Sequence, residues 1–196
     1  MSQIMLKNRT IKDNGSIIKC IDKSITSIVI PNTVKKITAY RFYNCNNLVS
    51  ITIPNSVTFI GGYAFYGCSA LTDLVLPVSP NIISWNCERV FYGCSSLTSF
   101  SITFSQIPEY AFGYCTSLNS VTLSNNVNFI GSSAFYNCSL LSSVTIQANT
   151  PPTLRSGVFS GASSNLVIYV PSESVETYKN ASGWSNYASK IQPIPT

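Results

Sequence analysis

Two apolar positions flanking one other residue recur along the chain, at Ile28-Val29-Ile30, Ile51-Thr52-Ile53, Leu74-Val75-Leu76, Phe100-Ser101-Ile102, Val121-Thr122-Leu123 and Val144-Thr145-Ile146. This period-two pattern is the signature of a short strand with one buried face. Ten to fifteen residues after each strand stands a Phe, at 42, 65, 91, 112, 135 and 159. Three residues beyond the first five Phe comes a Cys (45, 68, 94, 115, 138), and six beyond comes a Leu (48, 71, 97, 118, 141). The Phe spacings are 23, 26, 21, 23 and 24, and the differences fall between the strand and the next Phe, so insertions sit in the return limb of each unit.

A unit of this length with one strand cannot bury an apolar face alone, and stacking the units builds a continuous core. Parallel strands about 4.8 Å apart would bring each Phe, Cys and Leu column into register as a buried ladder. The expected architecture is a β-rich α/β solenoid. It is a right-handed superhelix of about six coils, with a parallel sheet on one face and short helical or 3-10 segments on the other. Residues 1–24 read as an N-terminal cap, 25–166 as the repeats, and 167–196 as a last strand and helical cap. In that last part Ser172 reads as an N-cap with Glu173 in the first turn.

Two strings carry a family resemblance: Ile60-Gly61-Gly62-Tyr63-Ala64-Phe65-Tyr66-Gly67-Cys68 and Ile130-Gly131-Ser132-Ser133-Ala134-Phe135-Tyr136-Asn137-Cys138, each followed by a Leu and an apolar strand. They resemble the BspA-like, treponemal-type leucine-rich repeat, and the resemblance covers roughly residues 25–166. It implies an extracellular or cell-surface recognition role with no shared catalytic residues. Thr38 and Arg41 depart from the pattern, where the best repeats have Gly and Ala.

Charge changes the picture at one end only. The net charge of +5 is concentrated in residues 1–41, where Lys7, Arg9, Lys12, Lys19, Lys23, Lys35, Lys36 and Arg41 face only Asp13 and Asp22. Such an end is either an electrostatic footprint for an anionic surface or a lysine-guarded edge strand. Alternation of lysine with apolar residues over Ile17–Ile25 favours the edge, so no nucleic-acid partner is expected. Asn14-Gly15 signals a hairpin over Thr10–Lys19. No apolar run reaches the length of a membrane-spanning helix. Met1–Lys7 lack a basic region followed by an apolar run, so no secretion signal is expected there.

The chemistry of catalysis finds little material. His is absent, which removes Ser-His-Asp and Cys-His nucleophiles, and neither His nor a Cys-x-x-Cys pair offers a metal site. No cofactor is expected. Glu88 and Glu109 share one place in successive coils, three residues before Phe, but flanked by Arg89 and Tyr110 they read as solvated. The Cys column reads as buried free thiols acting as small hydrophobes, with Cys20 and Cys87 outside it.

What remains is surface. Outward strand positions place Ser50, Thr52, Asp73, Ser99, Ser101, Ser120, Thr122, Ser143 and Thr145 on one hydroxyl-bearing face. On the other limb Tyr43, Tyr66, Tyr92 and Tyr136 follow the Phe, and Tyr40, Tyr63 and Tyr110 precede it by two. Tyrosine offers large contact area at low entropic cost. The insertion Val78–Glu88, with Trp85, should bulge from the wall as a surface loop. The expected function is a non-catalytic recognition or adhesion module for a protein or glycan partner, with Tyr66, Trp85, Tyr92 and the hydroxyl face as binding candidates. The alternative is a structural or decoration component of a cell surface or virion, which would self-associate or dock.

Overall fold

The computed structural model describes residues 11–12, 16–17, 23–77, 82–84 and 86–196. β1 (Ile11–Lys12) and β2 (Ser16–Ile17) pair antiparallel, as the turn signal between them requires; Asn14 and Gly15 themselves, and Cys20, lie outside the described residues.

The chain then winds as a right-handed parallel solenoid. One ladder carries the sequence-expected strands: β3 (Ser27–Val29), β5 (Ser50–Thr52), β7 (Asp73–Val75), β8 (Ser99–Ile102), β10 (Ser120–Leu123), β12 (Ser143–Ile146) and β14 (Val167–Val170). A second ladder, which the apolar pattern does not announce, runs along the return limb as two-residue strands: β4 (Lys36–Ile37), β6 (Phe59–Ile60), β9 (Gln106–Ile107), β11 (Phe129–Ile130) and β13 (Thr153–Leu154). The register pairs like with like, Val121 with Phe100 and Val144, Ile51 with Ile28 and Leu74.

Among the described residues neither ladder pairs continuously, although Ile60 N still donates to Ile82 O at 2.8 Å in the third coil. The first divides into β3-β5-β7 and β8-β10-β12-β14, the latter extended by β15 (Ile191–Pro193); the second divides between β6 and β9. Both divisions coincide with the coil that carries the longest insertion. Of that insertion, Ile82, Ile83 and Cys87 are buried, so part of the stretch expected to bulge outward is packed into the core. The cause is hydrophobic burial: two consecutive isoleucines withdraw more from water inside the coil than in a surface loop.

The core is a set of stacked columns. Consecutive Phe rings lie 5.1, 5.4, 5.2, 5.4 and 5.7 Å apart from Phe42 to Phe159, with interplanar angles of 4 to 21°. Each pair adds roughly 0.5–1.5 kcal/mol beyond the burial itself. The thiols complete the column. Cys68, Cys94, Cys115 and Cys138 each donate to a Phe carbonyl of the preceding coil, at Phe42, Phe65, Phe91 and Phe112, over 3.0–3.3 Å. Cys45, at the first place of the column, is likewise buried.

The limb expected to hold short helical segments consists of successive single turns. Around Phe65, Ala64, Tyr66, Cys68 and Leu71 each bond the carbonyl three residues back, the 3-10 pattern. Regular helix waits for the C-terminal region, in α1 (Val175–Asn180) and the 3-10 segment Trp184–Lys190. Ser172 makes no cap bond; its hydroxyl bonds Glu173 instead, and Pro171 takes the N-cap place. Tyr178 and Trp184 are fully buried and donate to Ala148 O and Pro152 O, both at 2.7 Å. Tyr187 stands edge-on against Phe159 at 5.4 Å and closes the Phe column.

At the other end the departures Thr38 and Arg41 leave Thr38 Oγ1 and Arg41 Nε buried without a partner. An unsatisfied buried group costs about 1–3 kcal/mol, which is why Gly and Ala suit these places.

Candidate functional site: the tyrosine wall and the divided sheet

Each turn of the Phe limb needs two left-handed residues, two before and two after the Phe. At the first place φ is positive for Tyr40, Tyr63, Arg89, Tyr110, Ser133 and Gly157; at the second for Asn44, Gly67, Gly93, Tyr114, Asn137 and Gly161. Glycine occupies this region freely, whereas an L-residue with a Cβ is disfavoured there by roughly 1–2 kcal/mol. Four of the six first places nevertheless carry Tyr or Arg, of which Tyr40 is exposed and Tyr63, Arg89 and Tyr110 are half-buried. Strain of this kind is a pointer to function.

The side chains form a wall. Tyr43, Tyr66 and Tyr92 stack at 4.9 Å with interplanar angles of 12 and 5°, and Tyr40 stacks on Tyr63 at 4.8 Å and 13°. In the next coil Gly113 stands where a Tyr would continue the file. The gap is bridged from the neighbouring position by Tyr114, 5.2 Å from Tyr92 and 5.6 Å from Tyr136. Tyr114 escapes the column pattern because it lies one residue out of register; Tyr following Gly at 113–114 is the signal for it.

Arg89 replaces Tyr at the centre of the other file. Its guanidinium lies 4.7 Å from the Tyr110 centroid and 5.7 Å from that of Tyr63. Nη1 donates to Tyr63 Oη at 2.9 Å and to Glu88 Oε2 at 2.6 Å, and the Tyr63 hydroxyl donates to Glu88 Oε1 at 3.2 Å. Burial lowers the Arg89 pKa, but the Tyr63 hydrogen bond and the fields of Tyr63, Glu88 and Glu109 outweigh it and hold the charge more firmly. Glu88 is thereby committed to Arg89 and Tyr63, while exposed Glu109 acts on Arg89 through its field. Burial, then the fields of Tyr114 and Tyr66, push the Tyr92 hydroxyl up.

The opposite face carries the hydroxyls. Ser50 and Thr52 lie on β5, Asp73 on β7, Ser99 and Ser101 on β8, Ser120 and Thr122 on β10, and Ser143 and Thr145 on β12, on the side turned from the core. The register sets Ser120 between Ser99 and Ser143, and Thr122 between Ser101 and Thr145. The break between β7 and β8 opens a cleft of about 540 Å³. Leu74, Val75, Leu76 and Phe100 line it together with Ser99, Ser101, Ser120 and Thr122; Ser50, Thr52, Ser143 and Thr145 do not reach it. Tyr66 and Tyr92 belong to the tyrosine wall, and Trp85 lies outside the described residues. Among the described residues no cluster of metal-ligating side chains occurs, and no helix is long and apolar enough to cross a membrane.

A model of the BspA type leucine rich repeat region matches this chain in six copies, over residues 19–105 and 87–186. A leucine-rich repeat protein of Treponema pallidum, of known structure, is similar to it at 30% identity and a TM-score of 0.66, over 79% of this chain and 72% of that one. A leucine-rich repeat protein from Eubacterium ventriosum is 26% identical with a TM-score of 0.56, over 76% of this chain and 46% of its own. The pneumococcal vaccine antigen PcpA shares the fold at 19% identity and a TM-score of 0.64, over 93% of this chain and 43% of its own. The chain therefore spans less than half of the last two. A search of curated proteins finds no match. With the repeat model running through all six Phe-bearing coils, the chain belongs to the BspA-type leucine-rich repeat family.

Proposed function

We propose that the protein is a non-catalytic recognition module that acts at a cell surface and binds its partner through the tyrosine wall. Family membership supports the general role, a protein-interaction or adhesion module. The tyrosine wall is preferred to the hydroxyl sheet on one observation: bulky Tyr and Arg side chains are held in left-handed backbone that glycine would occupy more cheaply. Tyr and Arg are the residues that most often carry binding energy at interfaces. A protein partner suits the stacked part of the wall better than a glycan. Rings stacked at 4.8–4.9 Å spend their faces on each other and offer edges and hydroxyls, so a sugar has no free face to lie on there.

The test is a screen of immobilised matrix proteins and a glycan array. The screen compares wild type, the wall variant Tyr66→Ala/Arg89→Ala/Tyr92→Ala and the sheet variant Thr52→Ala/Thr122→Ala/Thr145→Ala. The proposal expects a protein ligand lost by the wall variant and kept by the sheet variant. The reverse pattern, or self-association on sizing as the only interaction, refutes it.

A further inference from the structure

The parted sheet leaves backbone groups as well as apolar side chains without partners. Asp73 N donates to Val49 O, and Val75 O accepts from Ile53 N, so these two residues of β7 turn their amides and carbonyls toward β5. Leu74 and Leu76, alternating with them, turn theirs the other way, toward β8. On β8 the carbonyls of Thr98 and Ile102 accept from Asn119 and Ser124 of the next coil. Ser99, Ser101 and Thr103 therefore turn theirs back toward β7. Among the described residues β7 and β8 do not pair, so the two edges confront each other with their ladder bonds unmade.

The space between the edges is the cleft of about 540 Å³, bounded by Leu74, Val75 and Leu76 on one side and by Ser99, Phe100, Ser101 and Thr103 on the other. Leu74 and Leu76 point inward like Ile51 and Ile53 one coil earlier. Those two are 1 and 2% exposed, whereas Leu74 and Leu76 are only half-buried, so the apolar floor of the cleft is incompletely covered. Asp73 stands exposed at the start of β7, the one charged residue among the outward strand positions of this face. Among the described residues it makes no ion pair.

We propose that the break between β7 and β8 is a docking site for an extended peptide of a protein partner, which adds there as a parallel strand. The inference goes beyond the tyrosine wall and does not depend on it. Strand addition at an open edge draws affinity from main-chain bonds and specificity from alternate side chains. Both are on offer here: donors and acceptors at every second residue of each edge, and apolar surface between them. A parallel strand repeats the register of the neighbouring coils. Its inward residues then meet Leu74, Leu76 and Phe100, and its outward residues stand beside Asp73 and Val75. The unpaired carboxylate of Asp73 selects a lysine or arginine at the first outward place. The occupant is thus a segment that reads basic, apolar, polar, apolar.

The experiment is an NMR titration of the whole isotope-labelled protein with the peptide acetyl-Lys-Val-Ser-Val-Ser-amide, read on backbone amides. Saturable shifts at Leu74, Leu76, Ser99 and Ser101 are expected, with exchange of these amides slowed at saturation. The same peptide N-methylated at both valines keeps every side chain but loses two N–H groups of the new ladder, and should bind about tenfold more weakly. Ser101→Pro removes a donor that points into the break and leaves the bonds to β10 in place, so it should weaken binding too. A peptide with Glu for Lys should bind wild type less well and Asp73→Asn as well as the original does. The folded wall variant Tyr66→Ala/Arg89→Ala/Tyr92→Ala should bind the original peptide unchanged. The proposal is overturned by an absence of saturable shifts, by undiminished binding of the N-methylated peptide, by a preference for the Glu peptide, or by loss of the peptide in the wall variant, which would put it on the tyrosines instead.

Discussion

The turns around Phe65 and Phe91 and the strands that follow them, β7 and β8, belong to the same pair of coils, yet they meet differently. The turns are joined by three backbone bonds, Tyr63 to Glu88, Phe65 to Val90 and Gly67 to Tyr92, at 2.9, 2.8 and 2.7 Å. The strands are joined by none among the described residues, and Leu74 on β7 is half-buried where Ile51 and Val121 in equivalent places are buried. One insertion thus leaves the Phe limb intact and parts the sheet. Phe100, which stands where the other coils carry Ile, Leu or Val, packs against Phe91 and Phe112 at 5.9 and 5.4 Å. Phe100 thereby adds a ring to the core beneath the break. The lesson is that the Phe limb is the spine of the solenoid and the sheet is carried by it.

Several measurements bear on that difference. The largest effect should come from alkali, because the spine holds the thiols. Burial pushes Cys138 up from 9.0 to about 12 and raises Cys94 and Cys115; for Cys68 the neighbouring Cys45 thiol comes first, then burial. The folded state therefore favours protonated thiols. Its stability is complete below pH 9 and falls as pH rises from there through the folded values. Cys138 alone withdraws about 4 kcal/mol between pH 9 and 12. Denaturant midpoints should be flat from pH 6 to 8 and drop steeply above 9; no drop would show that the thiols are not held in the spine.

Next in size, Phe91→Ala removes the ring that joins the two halves of the column and should cost about 3–5 kcal/mol in urea unfolding. A cost below that of Leu74→Ala would reverse the roles assigned to spine and sheet. Equivalent sheet positions sharpen the contrast further. Ile51→Ala, in the paired part, should cost about 2–5 kcal/mol, and Leu74→Ala, at the cleft, at least about 1 kcal/mol less, since its side chain already meets water. Equal costs would mean the sheet is closed in solution. The smallest effect is in amide exchange: Leu74 and Leu76, facing the break, should exchange faster than Ile51 and Ile53 without any change in global stability.

Much of this was legible in the columns. Phe, Cys and Leu at constant offsets announced the ladders, and the residue between two apolar strand positions announced the outward hydroxyls. The tyrosine columns were visible too, but not their relations. Nothing in a linear pattern marks Tyr40, Tyr63 and Tyr110 as left-handed, or moves Tyr114 into the file that Gly113 vacates. The insertion was visible as three extra residues, yet read as a bulge, because loop length does not tell whether Ile82 and Ile83 face outward or in. Arg89 looked like a neighbour of Glu88 and proved to be the cation between two tyrosines.

The repeat by itself determined that this chain is a solenoid, since units with one apolar face and matching columns have no other way to leave water. Which inter-coil ladders close, and which rings meet around Gly113, only the tertiary structure decided. Those contacts depend on the offset of one coil against the next. That offset is a relation between coils, and no single repeat encodes it.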